Sequence, residues 1–248
     1  MKENEDYRNS HLGSDKAHSY HQQFKYNKYR AMIWDKEKII LNKIVKKNFS
    51  DGVSNYLDFA CGTGRILGFL SKYAREITGV DLSENMLEIA KKSTPDSAQL
   101  ICEDITKNDT LNDNKYDLIT AFRFFPNAQR ELRNSSMQVL IKHLTDDGIL
   151  VFNNHKNHTS FLYTLARLFR GKAAAITTIT MKHSEVKLLC DEHGLKIIDT
   201  YHTGIIPSFE RFISLPIFLF SPLESFLSRI KILKYFAFNV VYVCKFKS

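Results

Sequence analysis

Four cysteines in 248 residues, Cys61, Cys102, Cys190 and Cys244, are too few and too scattered to form a framework. They show neither metal-ligand nor redox spacing, and a chain of this length can bury a core without staples, so we expect them reduced, buried and cytoplasmic, with no metal site. No apolar run approaches the roughly 18 residues that a spanning helix needs. The opening MKENEDYRNSHLGSDKAHSY lacks the apolar core of an export signal, which again places the protein in the cytoplasm by expectation. The sequence contains no zinc finger or other nucleic-acid module and no internal repeat.

What remains is an ordinary globular composition, 44% hydrophobic and 25% charged, enough for one large domain or a domain with an added lobe. The formal net charge of +8 suits a solvated basic surface, nucleic acid, an anionic membrane surface or a phosphorylated substrate, and selects none of them.

Residues 1–17 are polar and aperiodic and read as a flexible segment. Across 18–50, Phe24, Ile33, Trp34, Ile39, Ile40, Ile44 and Val45 recur at three- and four-residue spacings, which predicts one or two amphipathic helices forming a lid. Strands and helices then alternate over 51–248, the pattern of a parallel sheet covered on both faces. Strands are predicted at Tyr56–Ala60, Glu76–Val80, Ala98–Cys102, Tyr116–Phe122, Gly148–Phe152, Leu195–His202 and Asn239–Phe246. Helices are predicted at Arg65–Lys72, from an N-cap at Ser83, at Glu131–Leu144, at Ser160–Arg170, and after the lead-in Met181–Glu185, ending at Gly194. Thr145–Gly148 reads as a turn. Helical additions are expected at about 156–180 and 205–236, the latter a helix hairpin between two antiparallel edge strands.

The chain is organised around Tyr56–Leu82, YLDFACGTGRILGFLSKYAREITGVDL. On an open parallel sheet, ligands bind beyond the carboxyl ends of the strands, where the first strand-to-helix turn offers free amides. Gly62 and Gly64 let backbone approach a ligand there, and Asp81, ending the second strand, can accept from both ribose hydroxyls. A dinucleotide fingerprint would need a third glycine where Leu67 stands, and Asp58 before the turn would repel a pyrophosphate. Asp58 suits instead a ligand with an amino group and a sulfonium.

On these residues the sequence resembles the class I S-adenosylmethionine-dependent methyltransferases. Asp58, Gly62 and Gly64 match the family's first motif, with Ala60 in its first glycine position; Asp81 in GVDLSENML matches the ribose acid, and Asp104 in CEDI the acid near the adenine amine. YDLITAF and DDGILVF resemble the fourth-strand motif and the turn into strand five. Each acid alone also reads as a cap or turn residue; three at successive strand ends favour the cofactor. The resemblance implies a Rossmann-like α/β fold with a seven-stranded mixed sheet whose last two strands are antiparallel. It implies S-adenosyl-L-methionine as cofactor, held by Asp58, Ala60, Cys61, Gly62, Gly64, Asp81, Leu82, Met86, Asp104, Ile105 and Phe122.

Methyl transfer is an in-line displacement that needs positioning, and a hydroxyl acceptor also needs a base. His155 and His158, following strand five, are the candidate bases, and Arg123, after strand four, is a candidate for an anionic acceptor group or for closing over the cofactor. Tyr20, Tyr26, Tyr29 and Arg30 are placed on the lid as candidate substrate contacts. No Asn-Pro-Pro-Tyr-like tetrad follows strand four, which argues against amine methylation of nucleobases or glutamine. The tail holds Phe209, Phe212, Ile213, Leu215, Ile217, Phe218, Leu219 and Phe220 beside Arg211, Arg229, Lys231 and Lys234, so it either lines the acceptor pocket or rests on a membrane. The leading expectation is a methyltransferase for a small molecule, such as a sugar or nucleotide-sugar. The alternatives are a lipid or lipid-linked acceptor, or a protein that binds the cofactor without turnover.

Overall fold

The computed structural model describes residues 7–8, 26–161, 164, 180–206 and 217–247, with backbone only at 217–219. Strand β1 (Val53–Phe59) alternates from Tyr56 onward, with Leu57 and Phe59 entering one core and Tyr56 the other, which Val53 joins at the start of the strand. This two-sided burial is what an interior parallel strand requires. It lies between β2 (Ala74–Asp81) and β4 (Tyr116–Ala121), with β3 (Gln99–Cys102) beyond β2 and β5 (Leu144–Asn154) beyond β4, all running parallel. The sheet is completed by β6 (Leu195–Thr203) and β7 (Asn239–Phe246), in the order β3-β2-β1-β4-β5-β7-β6.

The expected seven-stranded mixed sheet and the antiparallel closing pair are present. One detail differs, since β7 lies between β5 and β6 rather than at an edge. Its run VVYVC is buried throughout because both sides of the strand are hydrogen-bonded and both faces are covered. The turn expected at Thr145–Gly148 is instead part of β5: Leu144 already pairs with Tyr116, and a bulge between Tyr116 and Leu118 absorbs the extra residues before Ile149. Cys61, Cys190 and Cys244 are buried thiols, but Cys102 is exposed because it sits on the edge strand β3.

Six helices are described: α1 (Lys28–Asn48), α2 (Arg65–Leu70), α3 (Glu84–Lys91), α4 (Arg130–His143), α5 (His183–Glu192) and α6 (Ile217–Leu227). The Asn27 side chain caps α1 by accepting from Arg30 N at 2.7 Å, and the Ser83 hydroxyl caps α3 by accepting from Met86 N at 3.4 Å. Gly194, at φ +71°, ends the turn after α5 as expected. Helix α2 stops at Leu70 and tightens into a 3-10 turn over Ser71–Tyr73.

The lid predicted over 18–50 is described only from Tyr26 onward, where it is the single helix α1, with Met32, Ile33, Leu41, Ile44 and Val45 buried and Ile39 63% exposed. Fully buried Glu37 anchors it: the carboxylate pairs with Arg65 at 2.7 Å and accepts from Asn239 Nδ2 at 3.0 Å, tying α1, α2 and β7 together. Glu224 of α6, also fully buried, accepts from the amides of Gly204, Ile205 and Ile206, which pins α6 to the end of β6. Of the helix expected at Ser160–Arg170 only Ser160, Phe161 and Thr164 are described, with Thr164 N donating to Ser160 O at 2.9 Å; the rest of it and the tail residues Phe209, Arg211, Phe212, Ile213 and Leu215 lie outside the described residues, as do the side chains of Ile217, Phe218 and Leu219.

Candidate cofactor and acceptor site

The sheet register brings the acids together. Asp58 lies opposite Gly79 on β2 and Thr120 on β4, and Asp81 opposite Cys102 on β3, so the strand ends open on one edge. Over that edge lies a cavity of about 180 Å³. Its walls carry Asp58, Ala60, Cys61, Gly62, Asp81, Leu82, Met86, Asp104, Ile105, Phe122, Arg123 and His155, twelve residues that the sequence singled out.

The turn between β1 and α2 explains why small residues stand there. Ala60 and Gly62 have φ of +53° and +54°, and Gly64 of +74°. A side chain at Gly62 would meet nothing within 4 Å, whereas one at Gly64 would come within 2.9 Å of Ala90 Cβ. Gly62 therefore faces the open cavity, while Gly64 lets α2 pack against α3 and is not part of the cavity wall. Ala60 adopts the left-handed backbone with a Cβ attached, at a cost of about 1 kcal/mol that glycine would not bear.

Asp58 is 1% exposed. Its Oδ1 accepts from Thr120 Oγ1 at 2.6 Å, and the same hydroxyl lies 2.8 Å from Tyr56 OH. Its Oδ2 is buried with no hydrogen-bond partner, and the residue lines the cavity. Burial pushes the carboxyl up to about 7, against the opposing pull of the Thr120 hydrogen bond and the Arg65 charge. An unsatisfied buried acid is costly, and a ligand ammonium would remove that cost. Asp81 is fixed across the turn: Oδ2 accepts from Gly62 N at 2.8 Å and Oδ1 from Ser83 N at 2.9 Å. Burial raises its carboxyl despite those amides.

Asp104 Oδ1 accepts from Thr106 N at 3.1 Å and Thr106 Oγ1 at 2.5 Å, and Oδ2 pairs with Arg8 Nε at 2.7 Å. Tyr7 and Arg8 thus wall the cavity from the N-terminal segment that the sequence reads as flexible. Tyr7 packs edge-on against Phe124 at 5.8 Å, and its hydroxyl donates to Arg123 O at 3.4 Å. No sequence signal marks these two residues, since their partners lie about a hundred positions away. Arg65 and Thr120 were also missed, although Thr120 was detectable as the polar residue inside the buried run YDLITAF.

At the far end of the cavity, His155 follows β5 and is 6% exposed, and its Nδ1 has no hydrogen-bond partner. Burial first, then the charges of Arg123, Lys156, Arg30 and Arg65, hold the imidazole well below its ordinary range, so it is neutral at pH 7. Arg123 takes a left-handed φ of +62°, and its N–H donates to Asn153 Oδ1 at 2.6 Å, which turns the chain into the cavity. His158 is directed elsewhere, with Nδ1 2.7 Å from Thr180 Oγ1, and does not line the cavity. The charge of Arg30 acts on His155, Tyr26 is 69% exposed, and Tyr29 donates to Ile206 O at 3.0 Å. Tyr20 lies outside the described residues.

The residues fit S-adenosyl-L-methionine: an orphaned buried carboxylate, an open glycine cradle and a strand-end acid surround one cavity. Comparisons with known proteins agree. Residues 57–148 match the sequence profile of a family described as methyltransferase domain. Over 130 residues the chain is 31% identical to a methyltransferase of Geobacillus sp., covering 50% of this chain and 52% of that one. It is 29% identical over 175 residues to the ubiquinone biosynthesis O-methyltransferase of Coxiella burnetii, covering 66% and 71%. The chain thus spans about half the length of the first of these relatives. An S-adenosylmethionine-dependent methyltransferase from Clostridium acetobutylicum has the same fold, with a TM-score of 0.59 at 18% identity over 92% of this chain and 98% of that one. With the motif residues gathered at the strand ends and the profile lying across them, residues 57–148 are similar to the methyltransferase domain family, and the chain has the fold of an S-adenosylmethionine-dependent methyltransferase.

Proposed function

We propose that this chain methylates an oxygen of a small-molecule acceptor, with a sugar or nucleotide-sugar hydroxyl as the acceptor class. The observation that carries the reading is His155, a buried and neutral imidazole on the cavity wall with Nδ1 unpartnered. S-adenosylmethionine, when bound, supplies an electrophilic methyl on a sulfonium. Asp58 would hold the ammonium of the amino acid tail, Asp81 the ribose hydroxyls, and Asp104 with Ile105 the adenine edge. Phe122 and Met86 supply apolar wall, and Arg123 closes over the acceptor side. His155 takes the acceptor proton on Nδ1. The cations around it favour a negatively charged oxygen and so lower the acceptor's own pKa. The O-methyltransferase name of the Coxiella burnetii relative supports an oxygen acceptor.

The test is transfer of labelled methyl to a panel of nucleotide-sugars, phenols and amines. A positioned base contributes about 10²- to 10⁴-fold, so His155→Ala should lose that much on hydroxyl acceptors while binding S-adenosylhomocysteine normally. Turnover on amines alone, or full activity in His155→Ala, would exclude the base role. Cofactor binding with no turnover on any acceptor would favour a binding protein.

A lipid-linked acceptor is the second reading, favoured by the exposure of Phe226 (61%) and Ile232 (63%) in the tail. It predicts turnover on isoprenoid-linked substrates in detergent and none on their water-soluble headgroups.

A further inference from the structure

A second cavity, of about 540 Å³, lies at the opposite edge of the sheet, between α5, the edge strand β6 and the 3-10 turn Lys231–Tyr235. Lys187, Lys196, Lys231, Lys234, His183 and His202 converge on it. Two carboxylates share the wall, and both are neutralised from outside it: Asp191 pairs with Lys247 at 2.9 Å and Asp199 with Lys47 at 2.5 Å. Lys187, Lys231 and Lys234 have no carboxylate partner among the described residues. His202 is 6% exposed and its Nε2 is buried without a hydrogen-bond partner. A cavity that gathers cations and leaves a buried ring nitrogen unsatisfied is suited to a multiply hydrogen-bonding anion such as a phosphate group.

The same turn shows where that anion would come from. In a 3-10 helix, residues three apart eclipse one another. Lys231 and Lys234 therefore share the face that lines the cavity, and Ile232 and Tyr235 share the adjoining face, 63% and 39% exposed. The Tyr235 ring lies 5.7 Å from His183 of the cavity wall, so the apolar row is continuous with the basic cavity. On α6, Leu223 and Phe226 form a second i, i+3 pair, 48% and 61% exposed. Glu224, the acid between them, is buried against backbone amides and adds no negative charge to this face.

We propose that the cavity binds the phosphate headgroup of an anionic phospholipid while Ile232, Tyr235, Leu223 and Phe226 enter the adjoining apolar boundary, so that this edge docks the enzyme on a membrane. Leu223, Phe226, Ile232 and Tyr235 projecting beside a confined basic cavity match the apolar face with basic flanks that a lipid boundary receives. The inference rests on this edge alone and is independent of which oxygen is methylated. No described helix is long and apolar enough to cross a membrane, so the contact is peripheral.

Flotation with vesicles of phosphatidylcholine alone, or with about one-third phosphatidylglycerol, tests it on the full chain. Binding is expected only to the anionic vesicles. Near such a surface each lysine is worth about fivefold, so Lys231→Ala with Lys234→Ala should weaken binding roughly 25-fold. Ile232→Ser should weaken binding at unchanged net charge, and none of these variants should alter affinity for S-adenosylhomocysteine. Inorganic phosphate, followed through the His183 and His202 ring signals, serves as the soluble probe and should compete only weakly. Phosphate binding without vesicle association would assign the cavity to a soluble anion and overturn the membrane proposal. Equal binding to both vesicle types, loss-free binding by the lysine variants, or retention on RNA in place of vesicles would overturn it as well.

Discussion

Replacing Asp58 with asparagine should make the ligand-free protein more stable while weakening cofactor binding. Burial raises the Asp58 carboxyl from 3.8 to about 7 in the folded chain. The native state therefore holds a proton between these values that the unfolded chain has released, and stability falls as pH rises through that window. At 1.36 kcal/mol per unit, a rise of about 3 units makes the accumulated penalty about 4 kcal/mol by pH 7. Asparagine removes the charge and can still accept from Thr120 at Oδ1, but it leaves an amide group unpaired where Oδ2 now sits, at a cost of about 1–3 kcal/mol. The net gain is about 1–3 kcal/mol, or roughly 3–10 °C in Tm for a chain of this size.

Thermal and urea denaturation between pH 5 and 8 reads this directly: the wild type should lose stability with rising pH, and the variant should vary far less. Calorimetry supplies the other half. The ionised carboxylate is the form that pairs with an ammonium, so cofactor affinity should fall as pH drops below about 7 in the wild type and stay flat in the variant. Loss of one charge-assisted hydrogen bond, about 1.5–3 kcal/mol, should weaken S-adenosylhomocysteine roughly 10- to 150-fold in the variant at pH 8. A variant that is less stable at pH 7 and binds the cofactor as well as the wild type would refute the reasoning.

Asp81→Ala should lose about 1.5–3 kcal/mol of binding for each ribose hydrogen bond and should also destabilise the turn, because the Gly62 and Ser83 amides lose their acceptor; unaltered calorimetric affinity would remove Asp81 from the site. Ala60→Gly relieves a left-handed alanine, and after the entropy of the added glycine about 0.5 kcal/mol of stabilisation should remain in urea titrations, with cofactor affinity intact. Glu37→Ala removes a buried carboxylate from Arg65 and Asn239 and should cost about 3–5 kcal/mol in the same titrations; a loss below 1 kcal/mol would show that this tie between α1, α2 and β7 contributes little.

The order of strands and the acids at their ends were legible because each is a local pattern: a buried run, a turn of small residues, then an apolar helix face. Asp58, Gly62, Asp81 and Asp104 could be placed without coordinates since a parallel sheet puts every strand end on one edge. The continuous β5 was hidden because Thr145–Gly148 carries turn residues, and only the bulge opposite Tyr116 lets them join the strand. The position of β7 was hidden for another reason. A terminal strand can close a sheet at an edge or enter beside β5, and no local pattern distinguishes the two. Tyr7 and Arg8 show the limit most plainly, since their role depends on partners at Arg123, Gln129 and Asp104 that no window around residue 7 contains.

The three acids do not stand equal in the ligand-free chain, and this bears on where binding free energy can arise. Asp81 already accepts two amides and Asp104 already has Arg8 and Thr106, so a ribose or an adenine amine must share or displace existing partners, and each exchange gains little. Asp104 Oδ2 lacks a hydrogen bond but is ion-paired to Arg8, whereas Asp58 Oδ2 is buried with neither, so a ligand ammonium there gains an ion pair without displacing one. The ammonium end should therefore dominate affinity and the adenine end should set closure. Arg8 can bridge Asp104 to the N-terminal segment only while that segment lies over the cavity, and the pair that walls the site is also the one an adenine amine would compete with. Cofactor analogues lacking the amino group should lose most of the affinity, whereas analogues lacking the adenine amine should lose little, because Arg8 then keeps Asp104 satisfied.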